Sequence, residues 1–166
     1  MTERQKFSLL EKHGNLQIRR YHPYVAADIV VEGDHVSAGN RGFRPLANYI
    51  FSNKIAMTAP VIVEGRSSGQ SQVTFVMPDQ SRLEEMPAPT GGVTLRKSDG
   101  EVCAAIEFRG YTSASKVARK TQELYRLLEE NNLKAVGPVR VARFDPPWKP
   151  GIARHNELVI PIEWNN

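Results

Sequence analysis

The chain has 166 residues, of which 40% are apolar and 24% are charged. This length and balance predict one globular domain, residues 1–166, and exclude a chain that is disordered throughout. The net charge of +4 is scattered rather than gathered into a basic run, so we expect no nucleic-acid partner. Cys103 is the sole cysteine, which excludes an internal disulfide and a thiolate metal site.

The start of the sequence, MTERQKFSLLEKHGN, lacks the apolar segment of a signal peptide. No stretch approaches the roughly 18 consecutive apolar residues of a membrane-spanning helix. We therefore expect a cytoplasmic protein that has no membrane partner.

The first predicted element is a hairpin, KFSLLEKHGNLQIRR, with its turn at His13, Gly14 and Asn15. A further strand ends at Gly33. A helix follows, because apolar residues recur there at the spacing of one helical face: Phe43, Leu46, Ala47 and Ile50. The strands KIAMTAPVIVE and QVTFVMP complete the first half.

The second half repeats this order after a polar, proline-rich joint at residues 79–92. A strand ends at Gly110, and a second helix follows with an apolar face formed by Val117, Leu124, Leu127 and Leu128. Three residues are candidates for its N-cap: Thr112, Ser113 and Ser115. Two strands, PVRVARFD and NELVIPIEW, come last, and a proline-stiffened loop joins them.

The two halves also match residue by residue. Residues 18–33 align with residues 95–110 without a gap, and the identities are Arg19/Arg96, Val25/Val102, Ala27/Ala104, Ile29/Ile106 and Gly33/Gly110. We therefore predict an internal repeat at about residues 15–78 and 93–163. The duplicated β-α-β-β unit predicts an α+β fold, a distorted antiparallel β-barrel or curved sheet with two helices and a pseudo-two-fold axis.

Prolines favour a monomer. Pro60 and Pro161 fall within predicted strands, and proline in a strand is typical of a sheet edge that is protected from pairing with another chain.

Six strings resemble the SOUL family of haem-binding proteins in order and spacing: IRRYHPYVAADIVVEG, NRGFRPLANYIF, NKIAMTAPVIVE, VTFVMP, LEEMPAPTGGVTLR and DPPWKPGIARHNELVI. The resemblance runs from about Phe7 to Ile162. It implies a distorted β-barrel with two flanking helices. It also implies an intracellular carrier, buffer or sensor that binds haem or a related tetrapyrrole in an apolar groove beside the first helix. Haem would be of b type, without a covalent link to the chain.

The resemblance further implies which residues of the first helix form the site. Phe43 and Ala47 match the apolar positions that contact haem, and Asn40 and Asn48 lie beside them. Arg44 is close enough in the sequence to add positive charge. An apolar wall with cations at its rim is what a flat macrocycle with two carboxylates requires.

The loop before the last strand supplies the rest of the implied site. Lys149 matches the basic residue of the family's PPxKP turn, which meets the haem propionates, and Trp148 would form a wall. For an axial iron ligand we choose His35, at the edge of the helix, ahead of His22. Arg20 stands where some family members have a histidine.

A second function stays open: an effector binder or hydrolase resembling gyrase-inhibitor-like proteins. It would use carboxylates and aromatic groups in a groove: Glu107, Glu157, Tyr125 and Trp148. The sequence contains none of the motifs H-E-x-x-H, G-x-G-x-x-G or the P-loop. We therefore assign no catalytic residue and expect a binding protein rather than an enzyme.

Overall fold

A computed structural model describes residues 2–146 and 149–165 of the chain. These residues form two α-helices, α1 (His35–Ser52) and α2 (Ala114–Glu130), and eleven strands. The strands are β1 (Glu3–Arg4), β2 (Phe7–His13), β3 (Leu16–Tyr21), β4 (Tyr24–Glu32), β5 (Thr58–Ala59), β6 (Val61–Gly65), β7 (Gln70–Val76), β8 (Thr94–Ser98), β9 (Glu101–Arg109), β10 (Arg140–Arg143) and β11 (His155–Pro161).

Nine of these strands form one large sheet within the described part of the chain. Its order is β2-β3-β9-β11-β10-β6-β7-β4-β8, and every neighbouring pair is antiparallel. The sheet curls into an open half-barrel. The two-residue strands β1 and β5 pair with each other in parallel. The predicted α+β fold, an antiparallel sheet with two helices, is therefore confirmed.

Strand periodicity divides the large sheet into two faces. Ala104 and Ile106 of β9 pack with α2, whereas their neighbours Cys103 and Ala105 belong to a separate cluster with residues of β10 and β11. Alternate side chains of a strand point to opposite faces of its sheet. One face therefore carries both helices. We call the other the helix-free face.

The order of the strands is the same from either edge of the repeated part. β3, β9, β11 and β10 on one side correspond to β8, β4, β7 and β6 on the other. The repeated unit predicts this order, but the internal duplication itself stays a prediction.

Local signals set the ends of several elements. The first hairpin turns at Gly14, whose φ of +61° is in the left-handed region that glycine tolerates. Ser113 is the N-cap of α2, because its side chain accepts a hydrogen bond from the backbone N–H of Lys116 at 3.3 Å.

Prolines do not mark the edges of the sheet, so this sequence argument for a monomer is wrong. Pro161 ends β11, which lies between β9 and β10, and Pro60 precedes β6, which lies between β10 and β7. The edges are β2 and β8. KIAMTAPVIVE is also not one continuous strand, because Pro60 has no N–H to donate and separates β5 from β6. Among the described residues, no helix is long and apolar enough to cross a membrane.

Candidate functional site

One flank of α1 exposes apolar side chains along its length. Val36, Phe43 and Phe51 lie about two helical turns apart and so share one side of the helix. Their side chains are 41%, 40% and 62% exposed. Ala47 lies among them but is almost covered, with 7% exposure. We call these four residues the α1 flank.

The α1 flank lies on the side of α1 that is nearer to the middle of the large sheet. Phe43 packs edge-on against Phe75 of β7, with the ring centroids 5.4 Å apart. A Cβ atom on the neighbouring Gly39 would lie 2.6 Å from Nη1 of Arg143, on the central strand β10. The opposite side of α1 faces the loop before β8, where Tyr49 donates a hydrogen bond of 2.7 Å to the carbonyl of Pro87.

Two local features hold α1 in this position. Asp34 caps the helix by accepting hydrogen bonds from the backbone N–H groups of Ser37 at 3.1 Å and Val36 at 3.0 Å, and these bonds lower the pKa of Asp34. Gly42 allows close contact with the sheet, because a Cβ atom there would lie 2.5 Å from Cγ2 of Val73. The sequence predicted the helix but neither of these features.

Two buried nitrogen atoms near the start of α1 have no hydrogen-bond partner in the described residues: Nε2 of His35 and Nε of Arg143. Arg143 is anchored through Nη2, which donates a bond of 2.6 Å to the carbonyl of His35. Burial lowers the pKa of Arg143, and the nearby positive charge of Arg154 lowers it further. Burial also lowers the pKa of His35, an effect that Asp34 opposes and Arg143 reinforces. This end of the α1 flank therefore offers positive charge with unused hydrogen-bonding capacity.

The loop between β10 and β11 contributes Lys149, whose Nζ forms an ion pair of 3.0 Å with Oδ1 of Asp145. Arg154 donates a hydrogen bond of 2.9 Å to the carbonyl of Lys149. Lys149 therefore has a carboxylate partner, whereas no ion pair involving Arg143 is found in the part of the chain that the structure describes. Trp148 lies outside the described residues.

The remaining residues predicted for the haem site lie in two places, on α1 and beside a cavity away from α1. Asn40, Arg44 and Asn48 are exposed on α1, next to the α1 flank. His22 belongs elsewhere. It shares a hydrogen bond of 3.0 Å with the hydroxyl of Ser8 and lines a cavity formed by the ends of several strands.

A buried ion pair occupies the helix-free face. Arg19 of β3 and Glu157 of β11 are 1% and 4% exposed, and two bonds join them, of 2.5 Å and 3.2 Å. Nη1 of Arg19 also donates to the hydroxyl of Tyr21 at 2.8 Å, and Nε2 of His155 lies 3.1 Å from Glu157. Burial alone would raise the pKa of Glu157, but its contacts with His155 and Arg19 hold that pKa below the ordinary value.

The same face brings two predicted carboxylates together. Glu107 lies directly opposite Glu157 in the β9–β11 register, and ligand atoms of Glu107, His155 and Glu157 all lie within 4.8 Å of one another. These groups are typical metal ligands. However, the guanidinium of Arg19 pairs closely with Glu157 and lies 3.5 Å from Glu107. It therefore compensates the charge of Glu157 and part of the charge of Glu107, which leaves less negative charge than a divalent metal ion requires. Tyr125, the third described residue of the alternative site, is on α2 and therefore on the other side of the sheet.

Two cavities open on and beside the helix-free face. The smaller has a volume of about 110 Å³, and its wall includes Arg19, Tyr21 and Glu107. The larger has a volume of about 640 Å³ and is lined by the ends of β4 and β7 and the loop after β7. Both cavities are lined by Arg4 and Gln5.

Sequence reasoning missed Arg19 and Arg143. For Arg19 there was a signal, since the repeat pairs it with Arg96. In the structure Arg96 also binds a carboxylate, that of Asp28, at 2.6 Å. Nothing in the sequence distinguished Arg143 from the other arginines of the chain.

Solved structures with the same fold include proteins of different kinds. The C-terminal domain of EcmrR aligns with a TM-score of 0.72 at 10% identity, over 89% of this chain and 96% of that chain. A hydrolase from Listeria innocua aligns with a TM-score of 0.64 at 12% identity, over 90% and 92%. SAV2435, solved bound to tetraphenylphosphonium, aligns with a TM-score of 0.54 at 9% identity, over 89% and 93%. At these identities the likeness shows the fold alone.

The sequence comparisons are more specific. A search of curated protein sequences finds no significant match. The family model described as SOUL haem-binding protein matches residues 2–161, nearly the whole chain. The motifs around the first helix and in the loop before the last strand lie within this match, and the chain belongs to the SOUL haem-binding protein family.

Proposed function

We propose that this chain binds haem or a related tetrapyrrole on the α1 flank and acts as a carrier, buffer or sensor. The observation that carries the proposal is an exposed apolar strip along one helix that ends at buried, unpartnered nitrogen atoms of Arg143 and His35. A tetrapyrrole with carboxylate substituents has the matching chemistry, because it combines a flat apolar surface with negative charge at one edge.

The residues present fit such a ligand without a covalent link. Val36, Phe43 and Phe51 supply apolar area that water otherwise covers. Arg143 supplies a cation that has no carboxylate partner among the described residues. Lys149 can add a second cation once it leaves Asp145, to which it is paired at 3.0 Å. Ala47 contributes little area because it is nearly covered.

His35 is the proposed iron ligand. Its Nε2 atom has no hydrogen-bond partner within the described residues, but the protein covers it. The ring must therefore turn outward before it can reach a metal. Haem, when bound, would supply an iron atom that can accept a nitrogen ligand from His35. The protein's part is to present that nitrogen in its neutral form, which the lowered pKa of His35 favours.

Titration with haemin tests the proposal. We expect a shifted Soret band that saturates at about one haemin per chain, as one site requires. Phe43→Glu should abolish the shift, because it places a negative charge in the apolar strip. Tyr125→Glu is the matched control, since Tyr125 is a similarly exposed aromatic residue on the other helix. If Phe43→Glu binds haemin as tightly as this control, the α1 flank is not the site.

Variants of the polar residues test their roles separately. Arg143→Gln and Lys149→Glu should each weaken binding several-fold, because each removes a cation from the rim. His35→Ala should change the coordination state read from the absorption spectrum, with a smaller effect on affinity. An unchanged spectrum would remove His35 as the ligand.

A further inference from the structure

The first described residues cross the helix-free side of the molecule. We call residues 2–6 the strap. Its strand β1 pairs with β5, the backbone N–H of Gln5 donates a hydrogen bond of 2.8 Å to the carbonyl of Ala59, and Lys6 forms an ion pair of 2.7 Å with Asp79. Glu3 also accepts a hydrogen bond of 2.7 Å from the backbone N–H of Asp79, and the carbonyl of Lys6 accepts one of 3.1 Å from His22. The Lys6–Asp79 pair is largely exposed and contributes little. The strap is therefore held mainly by short backbone pairing, which a ligand that takes its place must offset.

The strap lies between the two cavities. Arg4 and Gln5 line both the cavity of about 110 Å³ and the cavity of about 640 Å³. Displacement of these residues would join the cavities into one groove, within the size range of small-molecule sites.

Arg4 occupies a position that suits a ligand. The carbon of its guanidinium lies 5.0 Å from the centroid of the Phe144 ring, a cation–π contact. Phe144 and Arg4 both line the smaller cavity. The strap therefore places a flat cation on an aromatic wall inside a cavity.

The charged residues of the smaller cavity no longer balance when the strap moves away. Six charged residues line the smaller cavity: Arg4, Arg19, Arg140, Glu101, Glu107 and Glu157. Arg19 is paired with Glu157, and Arg140 binds both oxygen atoms of Glu101. Arg4 and Glu107 remain, and the Glu107 side chain is 46% exposed. Without Arg4, the cavity keeps one negative charge that Arg19 compensates only in part.

An unpartnered polar group is buried beneath the strap. Thr58 pairs with Glu3 in β1–β5, lines the larger cavity and is 2% exposed. Its hydroxyl has no hydrogen-bond partner among the described residues. Buried hydroxyls are usually satisfied, so this group is available to a ligand in the joined groove.

We propose that the joined groove binds a flat organic monocation with an amidinium or guanidinium group, and that the strap is its intramolecular competitor. The cation takes the position of Arg4 on Phe144 and compensates the charge of Glu107. This site is on the opposite side of the sheet from the α1 flank, so the proposal is independent of tetrapyrrole binding.

Benzamidinium, benzamide and benzoate test the proposal, because they share a shape and differ in charge. Calorimetric titration of the full chain should show saturable binding of benzamidinium and much weaker binding of the neutral and anionic compounds. Arg4→Ala should tighten benzamidinium binding several-fold, because it removes the competing cation. Glu107→Gln should weaken it several-fold, whereas Glu129→Gln, an exposed glutamate on α2, should leave it unchanged.

Hydrogen exchange of the wild-type chain supplies a measurement that needs no variant. Benzamidinium should accelerate exchange of the Gln5 amide, which is bonded to Ala59, and benzamide should not. Equal binding of the three compounds, weaker binding to Arg4→Ala, or unchanged exchange of Gln5 would each overturn the proposal. The same variants should bind haemin like the wild-type chain, so failure here is distinguishable from failure of the α1 site.

Discussion

The Arg19–Glu157 pair shows how one buried contact decides the chemistry of a face. A buried carboxylate without a partner would take up a proton or attract a cation. Here the guanidinium satisfies Glu157 through both oxygen atoms, and Tyr21 accepts a further bond from Arg19. In the proposed cation site, ligand specificity would therefore depend on Glu107, the more exposed member of the carboxylate pair.

Glu157→Gln tests this pair through stability. The substitution leaves the buried Arg19 with only the half-exposed Glu107 as a counter-charge, so we expect a loss of up to about 3–5 kcal/mol in the free energy of unfolding at neutral pH. The folded-state pKa of Glu157 is below its ordinary value of 4.5. The unfolded chain therefore takes up the proton first as the pH falls, and the stabilisation is progressively lost below about pH 4.5.

Denaturant titrations at several pH values check this expectation. The difference in the free energy of unfolding between the wild-type chain and Glu157→Gln should shrink in acid. Glu129→Gln should unfold with the same free energy as the wild-type chain at every pH. If that difference in the free energy of unfolding stays constant down to pH 3, roughly one unit below the ordinary carboxylate range, the stabilising role of ionised Glu157 is contradicted.

At the scale of elements, α1 depends on two glycines that serve different purposes. A Cβ atom on Gly42 would meet Cβ and Cγ2 of the branched Val73, within 2.6 Å and 2.5 Å. A Cβ atom on Gly39 would meet only the end of the flexible Arg143 side chain. Gly42 therefore sets the distance between helix and sheet, and Gly39 leaves room for the Arg143 cation beside the α1 flank.

Gly42→Ala and Gly39→Ala form a matched pair for thermal unfolding and haemin titration. Gly42→Ala should destabilise the fold by about 1–3 kcal/mol, because the helix must move away from the strand. Gly39→Ala should leave stability unchanged or raise it by up to about 1 kcal/mol, since alanine favours the helix. It should weaken haemin binding by displacing Arg143. Equal stability of the two variants would contradict the close approach at Gly42.

The elements were more predictable from the sequence than the sites. Strand alternation and the helical spacing of Phe43, Leu46 and Ile50 are local patterns, and both helices and the first hairpin formed where those patterns lie. The partner of Arg19 is 138 residues away along the chain, and no periodicity reports such a contact. The strap was also unpredictable, because a two-residue strand is too short to show alternation.

In the whole molecule, the first and second halves of the chain pair at three places in the large sheet: β3 with β9, β4 with β8 and, at the centre, β6 with β10. Arg140 reinforces this junction by contacting Glu64 of β6 at 3.3 Å and Glu101 of β9. A continuous sheet across the junction makes separate unfolding of either half costly, because each would leave an unpaired interior strand. The single domain stays a prediction, and with it we expect one cooperative unfolding unit.

Denaturation by urea tests that prediction with two probes. Both tryptophans, Trp148 and Trp164, are in the second half of the chain, so their fluorescence reports that half, whereas far-ultraviolet circular dichroism reports both. We expect the two transitions to coincide, as one cooperative unit requires. A fluorescence transition separated from the dichroism transition would show that the halves unfold independently.

The position of β3 has a consequence for synthesis on the ribosome. β2 and β3 emerge before the other strands of the large sheet and can form their hairpin at once. The second neighbour of β3 in the described sheet is β9, in the second half of the chain. By contrast β4, α1, β6, β7 and β8 form a continuous block that needs β10 only at its edge. The β2–β3 hairpin therefore has an unpaired edge until β9 has been synthesised. Such non-local pairing slows folding and exposes nascent chains to association with one another.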